Sequence, residues 1–260
     1  MKSYKKLVLV FLIFAAIKVI LSYFVSSPSM FADEYWYAKF ARNLFVHGEY
    51  MVHGVFDSSR PPLYPILLML SYAFEDMNVV YFTMKVINAV VSSLVIFPIW
   101  LLSKEFLSER KAFLVTILAG IFPTLFAFSP YIMAENLFFP LFFFAVYFLY
   151  KSFLEKSYKW DILAGVFIGL CYLSRTLAII FIPAVFLMLA VELIRKREFV
   201  QLKKKLLLGL IALLVVSPLL IINILNLGAE GDIIGQGRED IIYLNLFSPA
   251  SFSYWFVFYN

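Results

Sequence analysis

The chain has 260 residues, 63% of them hydrophobic and only 15% charged, with 30 Phe, 16 Tyr and a formal charge of +5. Soluble domains run at roughly 45–50% apolar and about 25% charged, so the apolar excess has to face lipid. This excludes a cytosolic enzyme, a nucleic-acid-binding domain despite the positive charge, and a disordered chain. The single cysteine, Cys171, excludes a disulfide framework and a cysteine zinc site. With ten glycines and neither G-x-G-x-x-G nor a Walker pattern, nothing marks a soluble-type nucleotide pocket.

A membrane-spanning helix needs about 20 mainly apolar residues. Leu7–Phe24, after Lys2, Lys5 and Lys6, reads as an uncleaved anchor. A cleaved signal peptide is the competing reading, but the apolar core is longer than the usual roughly 7–15 residues and no A-x-A site follows. Pro62–Phe74 comes next; its 13 residues reach about 20 Å against a hydrocarbon core of ~30 Å, which makes it a re-entrant or interface helix. The later spans are Val79–Leu102, Ala112–Phe128, Leu137–Tyr150, Asp161–Leu173, Leu177–Ile194 and Leu206–Leu225. Leu137–Tyr150 and Asp161–Leu173 are short and have to borrow flanking residues or sit in a thinned bilayer.

Loop charges fix the parity. Fifteen of the 22 basic residues lie in four clusters: the N-terminus, Lys104–Lys111, Lys151–Lys159 and Arg195–Lys205. All four fall on one side, the cytoplasmic side by the positive-inside rule, only if Pro62–Phe74 does not cross and every other segment does. Eleven of the 17 acids then lie on the opposite side. The expectation is an all-α integral membrane protein with about seven transmembrane helices, its N-terminus cytoplasmic. Residues 1–227 form the membrane module, and residues 228–260 an outer loop and the possible start of an eighth span.

The first outer loop, residues 25–78, is long enough to carry structure and function of its own. Asp33–His47 predicts a helix lying on the membrane, with Trp36, Phe40 and Leu44 on one face, Asp33 and Glu34 at its positive dipole end and Gly48 as its C-cap. Arg60-Pro61-Pro62 opens the second short helix, where proline is tolerated in the first turn. N-terminal capping explains Asp33-Glu34 taken alone, and a snorkelling interface residue explains Arg60 taken alone. Together they form a carboxylate and a fixed cation at a membrane surface, able to deprotonate one substrate while holding the phosphate of another.

Ionisable groups inside spans are costly and mark function by default. Lys18 reads as a snorkelling residue. Lys85, Asn88 and Ser92 form a polar stripe facing the bundle, and for Lys85 both packing and an anion contact stay open. Glu135 and Arg175 sit in the two later outer hairpins, so Asp33, Arg60, Glu135 and Arg175 share one face. Gly165 and Gly169 form a G-x-x-x-G suited to close helix packing. His47, His53, Glu49 and Asp57 could hold a metal, but their spacing matches no ligand pattern.

With these residues in hand, the sequence resembles the integral-membrane GT-C glycosyltransferases, the dolichyl-phosphate-mannose–protein mannosyltransferase and aminoarabinose transferase relatives in particular. Asp33-Glu34-x-Tyr-x-Ala, Gly48, Arg60-Pro61-Pro62-Leu63-Tyr64-Pro65, then Glu135 and Arg175 carry the resemblance, in an order that covers most of residues 1–230. It implies a GT-C N-terminal module with two juxtamembrane helices in the first outer loop. The implied reaction moves a sugar from a polyprenyl-phosphate donor to a hydroxyl of a protein, lipid or glycan acceptor, on the extracytoplasmic face and with inversion. The implied catalytic residues are Asp33 as base, with Glu34 and Glu135 in support. Arg60, Arg175 and Lys85 would bind the donor phosphate, and Tyr37 and Tyr64 the substrates. A divalent cation is left open, since relatives differ in using one. The family usually has eleven or more spans, which implies a second chain for the missing half or a non-catalytic truncated subunit. A transporter or flippase for lipid-linked sugars is the other class; against it, the charges gather at one face and no inverted repeat is visible.

Overall fold

The structure is a computed structural model that describes residues 2–26, 32–51, 60–155, 157–196 and 200–227. His53, Asp57 and the expected outer loop 228–260 lie outside these. The described residues are helical, without a strand. The chain divides into two compact units, 1–219 and 220–260; of the second, only the last turns of the final helix are described.

Helix α1 (Lys2–Tyr23) shows how the sequence sorts its faces. Leu7, Phe14, Ala15, Lys18 and Ser22 are buried, while Leu9, Leu12, Ile13, Ile17 and Ile20 are exposed, as a helix with one side to the bundle and one to lipid requires. Lys18 is the correction here. It does not snorkel: its ammonium turns inward and donates to Ser92 Oγ (2.9 Å) and to the Leu125 carbonyl (3.2 Å). Two acceptors within the bundle satisfy it better than a reach of about 9 Å to the surface would.

The juxtamembrane pair follows. Helix α2 (Ala32–His47) ends at Gly48, whose φ of 71° and bond to the Leu44 carbonyl make the anticipated C-cap. Its buried stripe is Glu34, Tyr37, Ala38 and Ala41, with Phe40. Of the expected face, Phe40 is covered, stacked on Tyr50, whereas Trp36 and Leu44 are half-buried. Helix α3 (Leu63–Leu68) continues as a 3₁₀ turn over Met69–Ala73 and packs against α2.

Helices α4 (Met77–Ser93) and α5 (Ile96–Phe106) form one 30-residue apolar rod with a two-residue step between them, capped by Asp76 accepting from Asn78 N–H. The stripe Lys85–Asn88–Ser92 is buried, as its spacing implies. Ala112–Phe128 is not one helix. It divides into α6 (Glu109–Gly120) and α7 (Pro123–Ala127), because Phe122 precedes a proline and adopts an extended backbone. Helix α8 (Glu135–Leu154) reaches 20 residues by borrowing both flanks, and α9 (Tyr158–Ser174) reaches 17. A 3₁₀ turn (Thr176–Ile180) leads into α10 (Phe181–Lys196), and α11 (Val200–Leu227) follows. By length and hydropathy, four segments among the described residues can cross a membrane: Tyr4–Tyr23, Met77–Phe106, Glu135–Leu154 and Lys203–Ile224. The other three expected spans are helical, but shorter or divided.

The G-x-x-x-G expectation is met against α11. A Cβ on Gly165 would lie 2.6 Å from the Leu208 carbonyl oxygen, and one on Gly169 2.7 Å from Val215 Cβ. Gly165→Ala should therefore force the helices apart and lower stability by about 1–3 kcal/mol. Gly209→Ala meets nothing within 4 Å and should leave stability equal or slightly higher. Thermal unfolding of the detergent-solubilised protein checks both.

Candidate active site

The site is assembled where α2, the Arg60–Pro62 segment and the junction after α9 meet. Asp33 stands in the first turn of α2, and its Oδ1 lies 3.3 Å from Arg60 Nη2, both side chains partly exposed. The Arg60 guanidinium also lies 5.0 Å from the centre of the Trp36 ring, one turn along the same helix, so an aromatic face and a carboxylate hold it in place. Across from it, Arg175 follows the last turn of α9 and pairs with Glu135 in the first turn of α8. Asp33, Tyr37, Arg60, Pro61, Arg175 and Thr176 line a single cleft of about 190 Å³.

Of the four charged residues expected at one face, three line this cleft and the fourth, Glu135, is joined to one of them. Glu135 Oε2 is buried without a hydrogen-bond partner, so the carboxylate keeps acceptor capacity next to the cleft. Tyr37 is almost fully buried and packs edge-on against Tyr64, with ring centres 4.9 Å apart. Burial, and next the negative charge of Asp33, push its phenol up to about 12. Tyr37 is therefore a hydrogen-bond donor at neutral pH and not a base.

Three expected site residues have other work. Glu34 is fully buried and turned away from the cleft: its Oε1 accepts from the Ile132 N–H at 2.8 Å, tying α2 to the segment before α8. One residue along a helix is a turn of about 100°, so adjacent acids cannot both face the cleft. Tyr64 is likewise fully buried, its hydroxyl donating to Asn88 Oδ1 at 2.9 Å, and burial raises its phenol well above the usual range. Lys85 donates to the Ser22 and Val25 carbonyls at 2.8 and 2.6 Å. It satisfies backbone oxygens left open at the end of α1 and does not line the cleft, the arrangement expected of a packing role.

The sequence reading put Asn88 in a polar stripe without a partner and gave Asn136 no role. Asn88 Nδ2 donates to the Tyr131 carbonyl, and Asn136 Nδ2 to the carbonyls of Phe128, Tyr131 and Met133. The signal available was an amide inside one apolar helix and another in the first turn of a second. Trp36 was assigned to the lipid face by its i, i+4 spacing, and its service under Arg60 depends on where a distant segment returns. Among the described residues no group of three His, Cys, Asp or Glu side chains could hold a metal ion.

The all-helical bundle is that of the integral-membrane GT-C glycosyltransferase fold. Solved structures share it. The crystal structure of ArnT from Cupriavidus metallidurans bound to undecaprenyl phosphate matches with a TM-score of 0.64 at 15% identity, over 83% of this chain and 41% of that one. The same protein in the apo state matches with a TM-score of 0.61 at 15% identity, over 84% and 42%. Residues 59–222 match the family described as dolichyl-phosphate-mannose-protein mannosyltransferase, and the chain belongs to that family. It spans about two-fifths of the length of the solved ArnT chains. No protein of curated function matches it.

The placement of Glu34 has a measurable consequence. Glu34→Ala removes a charged acceptor from a buried backbone N–H and should destabilise the protein by about 1.5–3 kcal/mol. Glu34→Gln, which keeps a carbonyl oxygen there, should cost clearly less. Thermal unfolding of the two variants side by side reads the difference.

Proposed function

We propose that the protein is a membrane glycosyltransferase that moves a sugar from a polyprenyl-phosphate donor to an acceptor hydroxyl, with inversion, on the extracytoplasmic face. The observation carrying this reading is the convergence of Asp33, Arg60 and Arg175 on one cleft at the end of the bundle. Family membership supports the reaction class. Undecaprenyl phosphate bound to the structurally similar ArnT supports the class of donor.

The chemistry follows from the groups present. An acceptor hydroxyl placed against Asp33 gives its proton to the carboxylate as its oxygen attacks the anomeric carbon. The bond from that carbon to the phosphate oxygen breaks, and its electron pair leaves on the lipid phosphate. The phosphate gains a negative charge, and Arg60 and Arg175 neutralise it without a proton donor. Tyr37, held as a neutral phenol, donates a hydrogen bond into the same cleft. Asp33 is the one carboxylate among the lining residues. It therefore serves a single displacement from the face opposite the leaving group, which inverts the anomeric carbon. Glu135 fixes Arg175 in place from behind the cleft.

Transfer from a polyprenyl-phosphate sugar, measured in membranes containing the full-length protein, tests the assignment. Asp33→Asn should lower kcat by about 10²–10⁴-fold. Arg60→Ala should raise the donor KM and lower kcat, and Arg60→Lys should restore part of both. Undiminished transfer in both Asp33→Asn and Arg60→Ala would remove the catalytic assignment. Movement of lipid-linked sugar across the membrane without transfer would make the protein a flippase.

Sidedness has its own test. Tyr35 is exposed beside the cleft, Lys203 is exposed at the start of α11, and the native Cys171 is buried. A membrane-impermeant thiol reagent should label Tyr35→Cys on intact cells and Lys203→Cys only after permeabilisation. The reverse pattern would put the cleft on the cytoplasmic side.

A further inference from the structure

The ends of α8, α9 and α11 away from the cleft hold a second group of charges that the transfer reaction does not use. From Glu135 to Ser152, α8 climbs about 26 Å at 1.5 Å per residue, close to the thickness of the hydrocarbon core, so this group lies at head-group level on the opposite membrane face. Lys205 Nζ donates to Asp161 Oδ1 (2.6 Å), to Ser152 Oγ (2.8 Å) and to the Ser152 carbonyl (2.9 Å), with both partners of the ion pair fully buried. Its neighbour Lys204 is only 3% exposed, yet among the described residues its ammonium has no hydrogen-bond acceptor. That nitrogen lies 5.3 Å from the centre of the Tyr158 ring.

The buried charges described here are two ammonium groups and one carboxylate. A cation–π contact offsets only part of the cost of desolvating an ammonium, and a buried cation without an acceptor is destabilising by several kcal/mol. Asp161 Oδ2 has no hydrogen-bond partner among the described residues, but its carboxylate is already paired with Lys205, so the group still lacks one negative charge. The surroundings indicate its source. Tyr158, over the ammonium, is itself half-exposed, and Lys159 and Lys203, next to Tyr158 and Lys204 in the chain, are exposed cations. Basic pockets between membrane helices at this depth bind the phosphate of anionic lipids. We propose that Lys204 anchors the phosphate of an anionic phospholipid head group between α9 and α11, on the membrane face opposite the cleft.

The test uses the full chain, purified, stripped of lipid and compared with Lys204→Met. Both are heated with phosphatidylglycerol, with phosphatidylcholine or with inorganic phosphate, and lipid retention is counted by native mass spectrometry. Phosphatidylglycerol should raise the Tm of the parent protein more than that of Lys204→Met, and the variant should retain it roughly tenfold less. Without lipid the variant should be as stable as the parent or more so, since Met removes an uncompensated cation. Equal retention of phosphatidylglycerol by both proteins overturns the proposal. So does an equal loss of Tm with and without lipid, which marks Lys204 as purely structural. A shift by inorganic phosphate matching that by phosphatidylglycerol overturns the lipid assignment in favour of a small anion. None of these readouts depends on sugar transfer, so the outcome is separate from that of the proposed reaction.

Discussion

A charge in a low-dielectric surround has to be matched by an opposite charge or by several dipoles, and here that constraint decides where the chain can come together. Arg60 is a long way along the chain from α9, and Glu135 is 40 residues from Arg175, yet each guanidinium finds a carboxylate at the same end of the bundle. The Asp33–Arg60 pair closes the juxtamembrane segment back on the start of α2. The Glu135–Arg175 pair clasps the adjoining ends of α8 and α9. The cleft is the space left between these two clasps. Its lining follows from the pairing, because Tyr37 lies one turn beyond Asp33 on α2 and Thr176 follows Arg175.

Behind the clasps lies a frame of buried polar bonds. Glu34 holds the segment before α8 through the Ile132 N–H, Tyr64 holds Asn88, and Asn88 with Asn136 satisfies the carbonyls of Phe128, Tyr131 and Met133. These carbonyls belong to a non-helical turn at the end of a membrane bundle, where unpaired backbone groups are expensive. An irregular turn survives there because side chains from α2, α4 and α8 pair its backbone. The Tyr37–Tyr64 contact joins this frame to the cleft wall.

Much of this is legible in the sequence, for reasons that can be stated residue by residue. Charge parity and a reach too short for the hydrocarbon core kept residues 62–74 out of the set of spans, and a short helix with a 3₁₀ extension stands there. The G-x-x-x-G spacing announces a close helix contact, and α11 is the partner. Asp33, Arg60, Glu135 and Arg175 could be placed at one face because hairpin position fixes membrane depth. What a periodicity cannot report is which of two adjacent residues turns inward. Asp33 and Glu34 are chemically alike, and only the folded chain shows one facing the cleft and the other a backbone N–H. Lys18 and Lys85 were ambiguous for a related reason: an intramembrane lysine is satisfied by carbonyls or a hydroxyl supplied by distant helices, and no local pattern encodes those. The division of α6 from α7 was visible in Pro123, but the length of the apolar run obscured it.

Burial separates the part of this charge system that can react from the part that only holds. The Lys205–Asp161 pair is sealed, at 1% and 0% exposure, whereas Arg60 and Asp33 keep 25% and 38% and Arg175 keeps 33%. Breaking a sealed pair strands a charge and costs about 3–5 kcal/mol; a pair in contact with water is worth about 0–1 kcal/mol. In the proposed reaction, a phosphate arriving at the cleft can therefore draw Arg60 away from Asp33 at little cost and leave that carboxylate free to act as the base. The same exchange at Lys205 would dismantle the packing of α8, α9 and α11. Opposite ends of the same two helices thus use the same kinds of side chain for opposite ends, and the difference lies in how much water each can reach.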